Sequence, residues 1–271
     1  MNVHPQSTDS PVLVEVEDSV ATVILNRPKS INPLSEDMLA GLQSAWDRIG
    51  QDTEVKAVIL RGAGDHFCAG HDLKEMTAHR QDKDGGHQYF IDLFATCSKM
   101  MTSIVELPQP VVAEVSGIAT AAGCQLVATC DLAVAAEDAR FATSGVNFGL
   151  FCSTPMVALA RNVSRKHAME MLLLGEFINA SKAADIGLVN RVVPADQLAA
   201  EARSIAQTIA GKSPVPVKIG KKAFYAQAEM TLQDAYAYAG ETMAKNMMAR
   251  DTELGIGAFI EKKPVPDWTG E

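Results

Sequence analysis

Residues 109–131 read Gln-Pro-Val-Val-Ala-Glu-Val-Ser-Gly-Ile-Ala-Thr-Ala-Ala-Gly-Cys-Gln-Leu-Val-Ala-Thr-Cys-Asp. The apolar run from Val111 to Val115 is typical of a buried strand, and a turn of small residues separates it from a helix that begins near Ala121. Glycine and alanine let a ligand come close to the backbone. The first N–H groups of a helix are unpaired and lie at the positive end of its dipole. This segment therefore predicts a site for a negatively charged oxygen.

Strands and helices alternate on both sides of this segment, up to about residue 195. Residues 12–17 and 20–25 predict a hairpin, and the continuous apolar run at 56–61 predicts a buried strand. The other expected elements are a helix capped by Ser35, a loop at 77–86, helices at 89–107 and 121–130, and a strand at 132–136. The order predicts an α/β domain.

Beyond residue 195 the strand pattern ends, and helices are expected at 198–210, 215–228, 232–248 and 253–262. We therefore divide the chain into an α/β core over residues 1–195 and an all-helical region over residues 196–271. Many apolar residues lie in that region. They cover a core of their own or pack against another subunit, and composition alone leaves both arrangements open.

Composition excludes several classes of protein. The chain has 271 residues, of which 47% are hydrophobic, so it can form one large core. Its formal charge of −9 argues against nucleic acid as a partner. No apolar run is long enough to span a membrane, and the polar N-terminus lacks a signal-peptide pattern. Five cysteines without Cys-x-x-Cys spacing indicate reduced thiols in the cytoplasm and no metal site.

A second segment complements the first. Residues 66–76 read His-Phe-Cys-Ala-Gly-His-Asp-Leu-Lys-Glu-Met and follow a buried strand, with Gly70 at the expected sharp turn. If the two segments meet, the N–H groups near His71 and Ala122 are two donors for one oxygen.

Together these strings resemble the enoyl-CoA hydratase/isomerase (crotonase) superfamily. The resemblance continues at 26–28, 140–142, 168–175, 183–193 and 257–263, so it covers nearly the whole chain. The string Gly-Leu-Phe-Cys-Ser-Thr-Pro at 149–155 is distinctive of one subgroup within it.

The resemblance implies a spiral of ββα units followed by a C-terminal all-helical trimerisation region, with homotrimers or hexamers built as dimers of trimers. It also implies an acyl-CoA thioester as substrate, with coenzyme A part of the substrate and no separate cofactor. By motif position the thioester oxygen lies between the His71 and Ala122 N–H groups. Ala122 keeps this donor unless its backbone requires a positive φ. The substrate-binding positions implied are Lys29, Ala69, Gly70, His71, Asp72, Leu73, Lys74, Ala122 and Lys263.

The two glutamates that catalyse hydration in this superfamily are replaced here. Their positions hold Gln125 and Gly145, and neither residue transfers a proton near neutral pH. We therefore do not expect standard hydration from this nominal enoyl-CoA hydratase/isomerase of fatty-acid-type metabolism. Isomerisation, decarboxylation, thioester hydrolysis and non-catalytic acyl-CoA binding stay open. Restoring both glutamates should raise crotonyl-CoA hydration by at least about 10², unless the pocket shape has also diverged.

Other side chains can supply proton chemistry. His71 is the first candidate, because imidazole titrates near neutrality; the alternative is a ring that points to solvent or caps a turn. We expect Asp72 to hydrogen-bond the loop backbone, and Cys68 and Cys124 to be buried packing residues.

Overall fold

The computed structural model describes residues 9–271, so most of the N-terminal stretch used to exclude a signal peptide lies outside the described residues. In chain order its strands are β1 (Val12–Glu17), β2 (Val20–Leu25), β3 (Ala57–Gly62), β4 (Val111–Val115), β5 (Ile118–Thr120), β6 (Leu132–Ala136), β7 (Arg140–Ala142), β8 (Ile178–Asn179) and β9 (Arg191–Val193). The helices are α1 (Glu36–Ile49), α2 (Leu73–Ala78), α3 (His87–Glu106), α4 (Ala122–Thr129), α5 (Ser153–Asn162), α6 (Arg165–Leu174), α7 (Ala180–Asp185), α8 (Leu198–Ala210), α9 (Pro214–Gln227), α10 (Leu232–Met247) and α11 (Arg250–Ile260).

Two sheets form the α/β part of the molecule. The larger has the order β1-β2-β3-β4-β6-β9, in which β1 and β2 are the predicted hairpin and the other neighbours are parallel. Asp18 and Ser19, which join the hairpin, both have positive φ, as a tight two-residue turn requires. The smaller sheet has the order β5-β7-β8. The predicted α/β class is confirmed.

The central strands of the larger sheet, β2, β3, β4 and β6, are buried on both faces. One face packs against α1, α3 and α4 through residues such as Leu42, Trp46 and Met100. The opposite face packs against α8, where Ala202 and Ala206 contact Ile59 and Ala57 of β3. The first predicted helix of the region 196–271 therefore covers the sheet.

No whole residue of α9 or α10 is buried, although the side chain of Lys221 on α9 is only 6% exposed, and α11 buries only Asp251. Several large apolar side chains on these helices and their connections are exposed: Phe224, Leu232, Tyr236, Met243, Met247, Met248, Phe259 and Ile260. The use of residues 196–271 for oligomerisation stays a prediction.

The predicted loop at 77–86 is partly wrong. Helix α2 continues to Ala78, and a 3-10 turn follows at His79–Gln81. The residues of this stretch are mostly exposed, so they carry no apolar periodicity by which the sequence would reveal a helix. No helix within residues 9–271 is long and apolar enough to cross a membrane.

Candidate active site

The backbone just before α4 is strained, and the start of the helix packs tightly against the neighbouring loop. Ala121, which precedes the helix, has φ 50° and ψ −119°, a conformation that side-chain-bearing residues rarely adopt. Ala122 is the first residue of the helix, so its N–H has no hydrogen-bond partner within the helix. Its φ is not positive. A Cβ on Gly123 would overlap the Cys68 carbonyl oxygen, which shows how closely the neighbouring loop packs on the helix.

Asn32 holds that neighbouring loop in place. Its side-chain Nδ2 donates to the carbonyl oxygens of Ala63, His66 and Phe67 at 3.0, 2.9 and 3.1 Å. Its Oδ1 accepts from the Arg27 N–H at 2.8 Å. Asn32 is fully buried, so these hydrogen bonds fix the loop that follows β3.

The two segments predicted to form one site meet at Gly70. This residue has φ 92°, and a Cβ built on it would lie 3.1 Å from the Ala122 nitrogen and 3.0 Å from the Ala121 Cβ. Glycine is required here by the backbone conformation and by the close approach. Next to it, the His71 N–H donates to no acceptor within residues 9–271. His71 and Ala122 both line one cavity.

The cavity has a volume of about 240 Å³ and a largely apolar lining. At its rim Leu73 is 57% exposed and Phe148 is 75% exposed, which is unusual for large apolar side chains. The lining residues are Ala69, His71, Leu73, Met76, Phe94, Ala121, Ala122, Ser144, Gly145, Phe148, Leu150, Phe151, Cys152, Ser153, Thr154 and Pro155. Such a lining suits an aliphatic chain.

The imidazole of His71 does not point freely to solvent. Its Nδ1 lies 3.3 Å from the Leu34 carbonyl oxygen, and its ring meets Phe94 edge-to-face at 5.6 Å between centroids. Its Nε2 is buried and has no hydrogen-bond partner within residues 9–271. Burial lowers the pKa of His71 below its ordinary value, and the hydrogen bond to Leu34 offsets this lowering only in part. The neutral ring therefore predominates at physiological pH.

Gln125 does not line the cavity. The residue is 5% exposed, and its Oε1 is buried with no partner within residues 9–271. The resemblance assigns one of the two replaced glutamates to this position on α4, but Gln125 is not among the residues that line the cavity with His71 and Ala122.

Gly145 lines the cavity and leaves no room for a side chain. A Cβ on it would overlap the Leu150 carbonyl oxygen and lie 2.8 Å from the Cys152 Sγ. The Gly145 N–H donates to that sulfur at 3.3 Å. The segment 150–152 therefore packs closely against Gly145, a contact that the sequence did not reveal.

The predicted substrate-binding residues fall into two groups. Ala69, His71, Leu73 and Ala122 line the cavity, and Gly70 lies against Ala122. Asp72 caps α2 by accepting from the Lys74 and Glu75 N–H groups, so it bonds backbone as expected, but at the start of a helix and not within a loop. The three lysines Lys29, Lys74 and Lys263 are exposed and do not line the cavity, and Lys263 pairs with Glu261 at 2.5 Å.

The cysteines are buried, as expected for packing residues. All five are free, and burial raises the pKa of Cys68 and of Cys124 to about 12. A thiol with so high a pKa is a poor nucleophile near neutral pH.

Sequence reasoning missed Met76, Phe94 and Cys152 as cavity residues. Phe94 lies on α3 within an apolar pattern that does not distinguish a ligand pocket from the core. Cys152 lies in the string at 149–155, which the sequence used only to distinguish a subgroup, and its sulfur accepts from the Gly145 N–H beside the cavity.

Comparisons with known proteins identify the family to which the chain is similar. The family model for enoyl-CoA hydratase/isomerase matches residues 15–271. Two relatives are named enoyl-CoA hydratase domain-containing protein 3, mitochondrial. The one from Xenopus laevis is 46% identical, and the match covers 98% of this chain and 88% of the relative. The one from Homo sapiens is 44% identical, and the match covers 98% of this chain and 86% of the relative. This is the subgroup that the string at 149–155 resembles.

Two crystal structures share the fold and much of the sequence. An enoyl-CoA hydratase from Mycobacterium smegmatis has a TM-score of 0.90 and 51% identity, covering 95% of this chain and 98% of its own. The human domain-containing protein 3 has a TM-score of 0.89 and 44% identity, covering 94% and 99%. The chain belongs to the enoyl-CoA hydratase/isomerase (crotonase) family.

Proposed function

We propose that the protein binds acyl-CoA thioesters and holds the thioester oxygen between the N–H groups of His71 and Ala122. One observation carries this proposal: Gly70 brings the two segments so close that its Cβ would lie 3.1 Å from the Ala122 nitrogen. Two preorganised N–H donors stabilise an enolate more strongly than a neutral thioester, and removing one such donor typically costs about 10² to 10³ in rate.

The reaction we propose forms an enolate without adding water. Hydration needs a base for water and an acid for the α-carbon, and Gln125 and Gly145 supply neither. The packing of segment 150–152 on Gly145 supports a pocket that is no longer shaped for the second carboxylate. Isomerisation or another enolate reaction of an aliphatic acyl-CoA fits the apolar lining.

The coenzyme A part of the substrate needs positive charge near the cavity mouth. We assign its phosphates to Lys29 and Lys74 of this chain and to Lys263 of a neighbouring subunit. The exposure of all three lysines supports this assignment. It requires a homotrimer, alone or paired into a hexamer, for which the exposed apolar side chains of α9–α11 are the support. The five free, buried cysteines support a cytoplasmic protein, although the relatives above are named mitochondrial.

The test compares two ligands that differ only at the thioester. Butyryl-CoA has the carbonyl oxygen, and S-butyl-CoA replaces the carbonyl with a methylene group. Two net hydrogen bonds contribute about 1 kcal/mol each, so we expect butyryl-CoA to bind roughly 10-fold more tightly or better by calorimetry. We also expect a shift of the carbonyl 13C resonance on binding. Equal affinities with no 13C shift would contradict the proposed site.

A non-catalytic acyl-CoA binder is the second candidate, favoured by the absence of a carboxylate at both glutamate positions. A screen of acyl-CoAs for binding and turnover separates the two functions. Binding with no turnover above the solution rate supports the binder, and turnover of any acyl-CoA supports the enzyme.

A further inference from the structure

His71 combines a backbone role that the family motif implies with a side-chain position that the motif does not predict. Its N–H is one of the two proposed oxygen donors, and its imidazole lies beside Phe94, which lines the same cavity. The α-carbon of a bound thioester is one bond from the carbonyl carbon whose oxygen this N–H would hold. The ring and the α-carbon therefore belong to the same small region.

The hydrogen bond of Nδ1 fixes the tautomer of the ring. The Leu34 carbonyl oxygen, 3.3 Å away, only accepts, so Nδ1 carries the proton and Nε2 carries the lone pair. This Nε2 is buried with no partner within residues 9–271. A buried acceptor without a donor is costly, and a ligand that brings a proton to it would remove that cost.

The surroundings keep the ring neutral. The charged residues on the neighbouring helices are Lys74 and Glu75 on α2 with Asp72 at its N-cap, Glu36, Asp37, Asp47 and Arg48 on α1, and Asp92, Lys99 and Glu106 on α3. The pKa of His71 is set instead by burial, which lowers it, and by the Leu34 carbonyl, which raises it. The neutral form, which alone is a base, therefore predominates at pH 7.

We propose that Nε2 of His71 is the base that removes the α-proton of a bound acyl-CoA thioester. This rests on the proposed function. The C–H electron pair becomes the C=C bond of the enolate, and the negative charge moves to the thioester oxygen between the His71 and Ala122 N–H groups. The imidazolium then returns a proton to the α-carbon or, where the chain has a neighbouring double bond, to the γ-carbon. The first route exchanges the α-proton with solvent when the imidazolium exchanges its Nε2 proton with water before returning one, and the second isomerises the double bond.

The test measures deuterium incorporation into butyryl-CoA in D2O by mass spectrometry, with binding measured separately by calorimetry. We expect His71→Gln to keep its backbone N–H and bind butyryl-CoA, but to exchange at least about 10²-fold more slowly. His87→Gln is the matched control, because His87 is exposed and does not line the cavity. The wild-type rate should fall on the acid side with a midpoint below the ordinary value of 6.5.

A further variant separates a base from a positioning residue. In His71→Ala, added imidazole should restore exchange in proportion to its neutral fraction. Wild-type exchange rates in His71→Gln, absence of rescue in His71→Ala, or no exchange by wild-type protein that binds butyryl-CoA would each overturn the role of His71. Failure of the wild-type protein to bind butyryl-CoA would instead overturn the proposed function.

Discussion

The strained residue beside the proposed oxygen site is Ala121, with φ 50° and ψ −119°. Such a conformation costs an alanine about 1–3 kcal/mol, and a glycine much less. We expect Ala121→Gly to stabilise the fold by about 1 kcal/mol, seen as a higher denaturant midpoint. Ala128→Gly, in the regular part of α4, should instead destabilise it. A loss of stability in both variants would show that Ala121 is not strained.

The sequence assigned the two proposed N–H donors, but it raised the question of a positive φ at Ala122, whereas Ala121 is the residue with positive φ. Motif position assigns one N–H to Ala122 and raises the concern that its φ is positive. The structure places the positive φ one residue earlier, because the turn into α4 is completed at Ala121. Motif position also carries no information on the imidazole of His71, which depends on Leu34 and Phe94.

At the scale of elements, the 3-10 turn Ser144–Phe148 and the segment after it decide whether hydration can be restored. Any side chain at Gly145 overlaps the Leu150 carbonyl oxygen, so Gly145→Ala should cost about 1–3 kcal/mol by overpacking. We now expect Gln125→Glu with Gly145→Glu to lower the melting temperature and give no gain in crotonyl-CoA hydration, in place of the 10² gain that the sequence suggests.

The matched control is Gly211→Ala at the end of α8, where φ is −75° and the nearest atom to the new Cβ is 3.4 Å away. Its melting temperature should stay close to that of the wild type. Hydration that rises about 10² in the double variant would show that segment 150–152 moves aside, and that the carboxylates alone were missing.

The strands and helices were largely predictable where their buried residues produce an apolar pattern in the sequence. Strands 111–115 and 132–136 and helix 198–210 have the predicted bounds, because their apolar patterns record contact with the core. The start of α2 was not predictable in this way. Asp72 caps that helix, but its exposed residues have no apolar stripe.

At the scale of the whole molecule, Asp251 holds the C-terminal residues in place by hydrogen bonds. Its carboxylate accepts from the Ser213 hydroxyl at 2.6 Å, from the Thr269 N–H and hydroxyl at 2.7 Å each, and from the Gly270 N–H at 3.1 Å. Burial alone would raise the pKa of Asp251, yet these hydrogen bonds outweigh it and lower the pKa to about 2.

A folded-state pKa below the ordinary 3.8 stabilises the fold above that value, and the stabilisation is lost as the pH falls towards 2. We expect Asp251→Asn to unfold at a lower temperature at pH 7 and to lose less stability than the wild type between pH 5 and pH 2. Calorimetry across this range measures both effects. Parallel pH curves for the two proteins would contradict the lowered pKa.

The exposed apolar side chains of α9–α11 require a covering surface, and a second and third copy of the chain would provide it. Phe259 is 84% exposed and Ile260 is 72% exposed, beyond what an isolated chain normally leaves in water. We expect light scattering to give three or six times the chain mass of 29.0 kDa. Phe259→Asp should shift this mass towards the monomer and weaken acyl-CoA binding if Lys263 reaches a neighbour's site. Val16→Asp, which removes a half-exposed valine from β1, should leave both unchanged. A monomeric wild type that binds acyl-CoA at full affinity would exclude this assembly and the role of Lys263 in it.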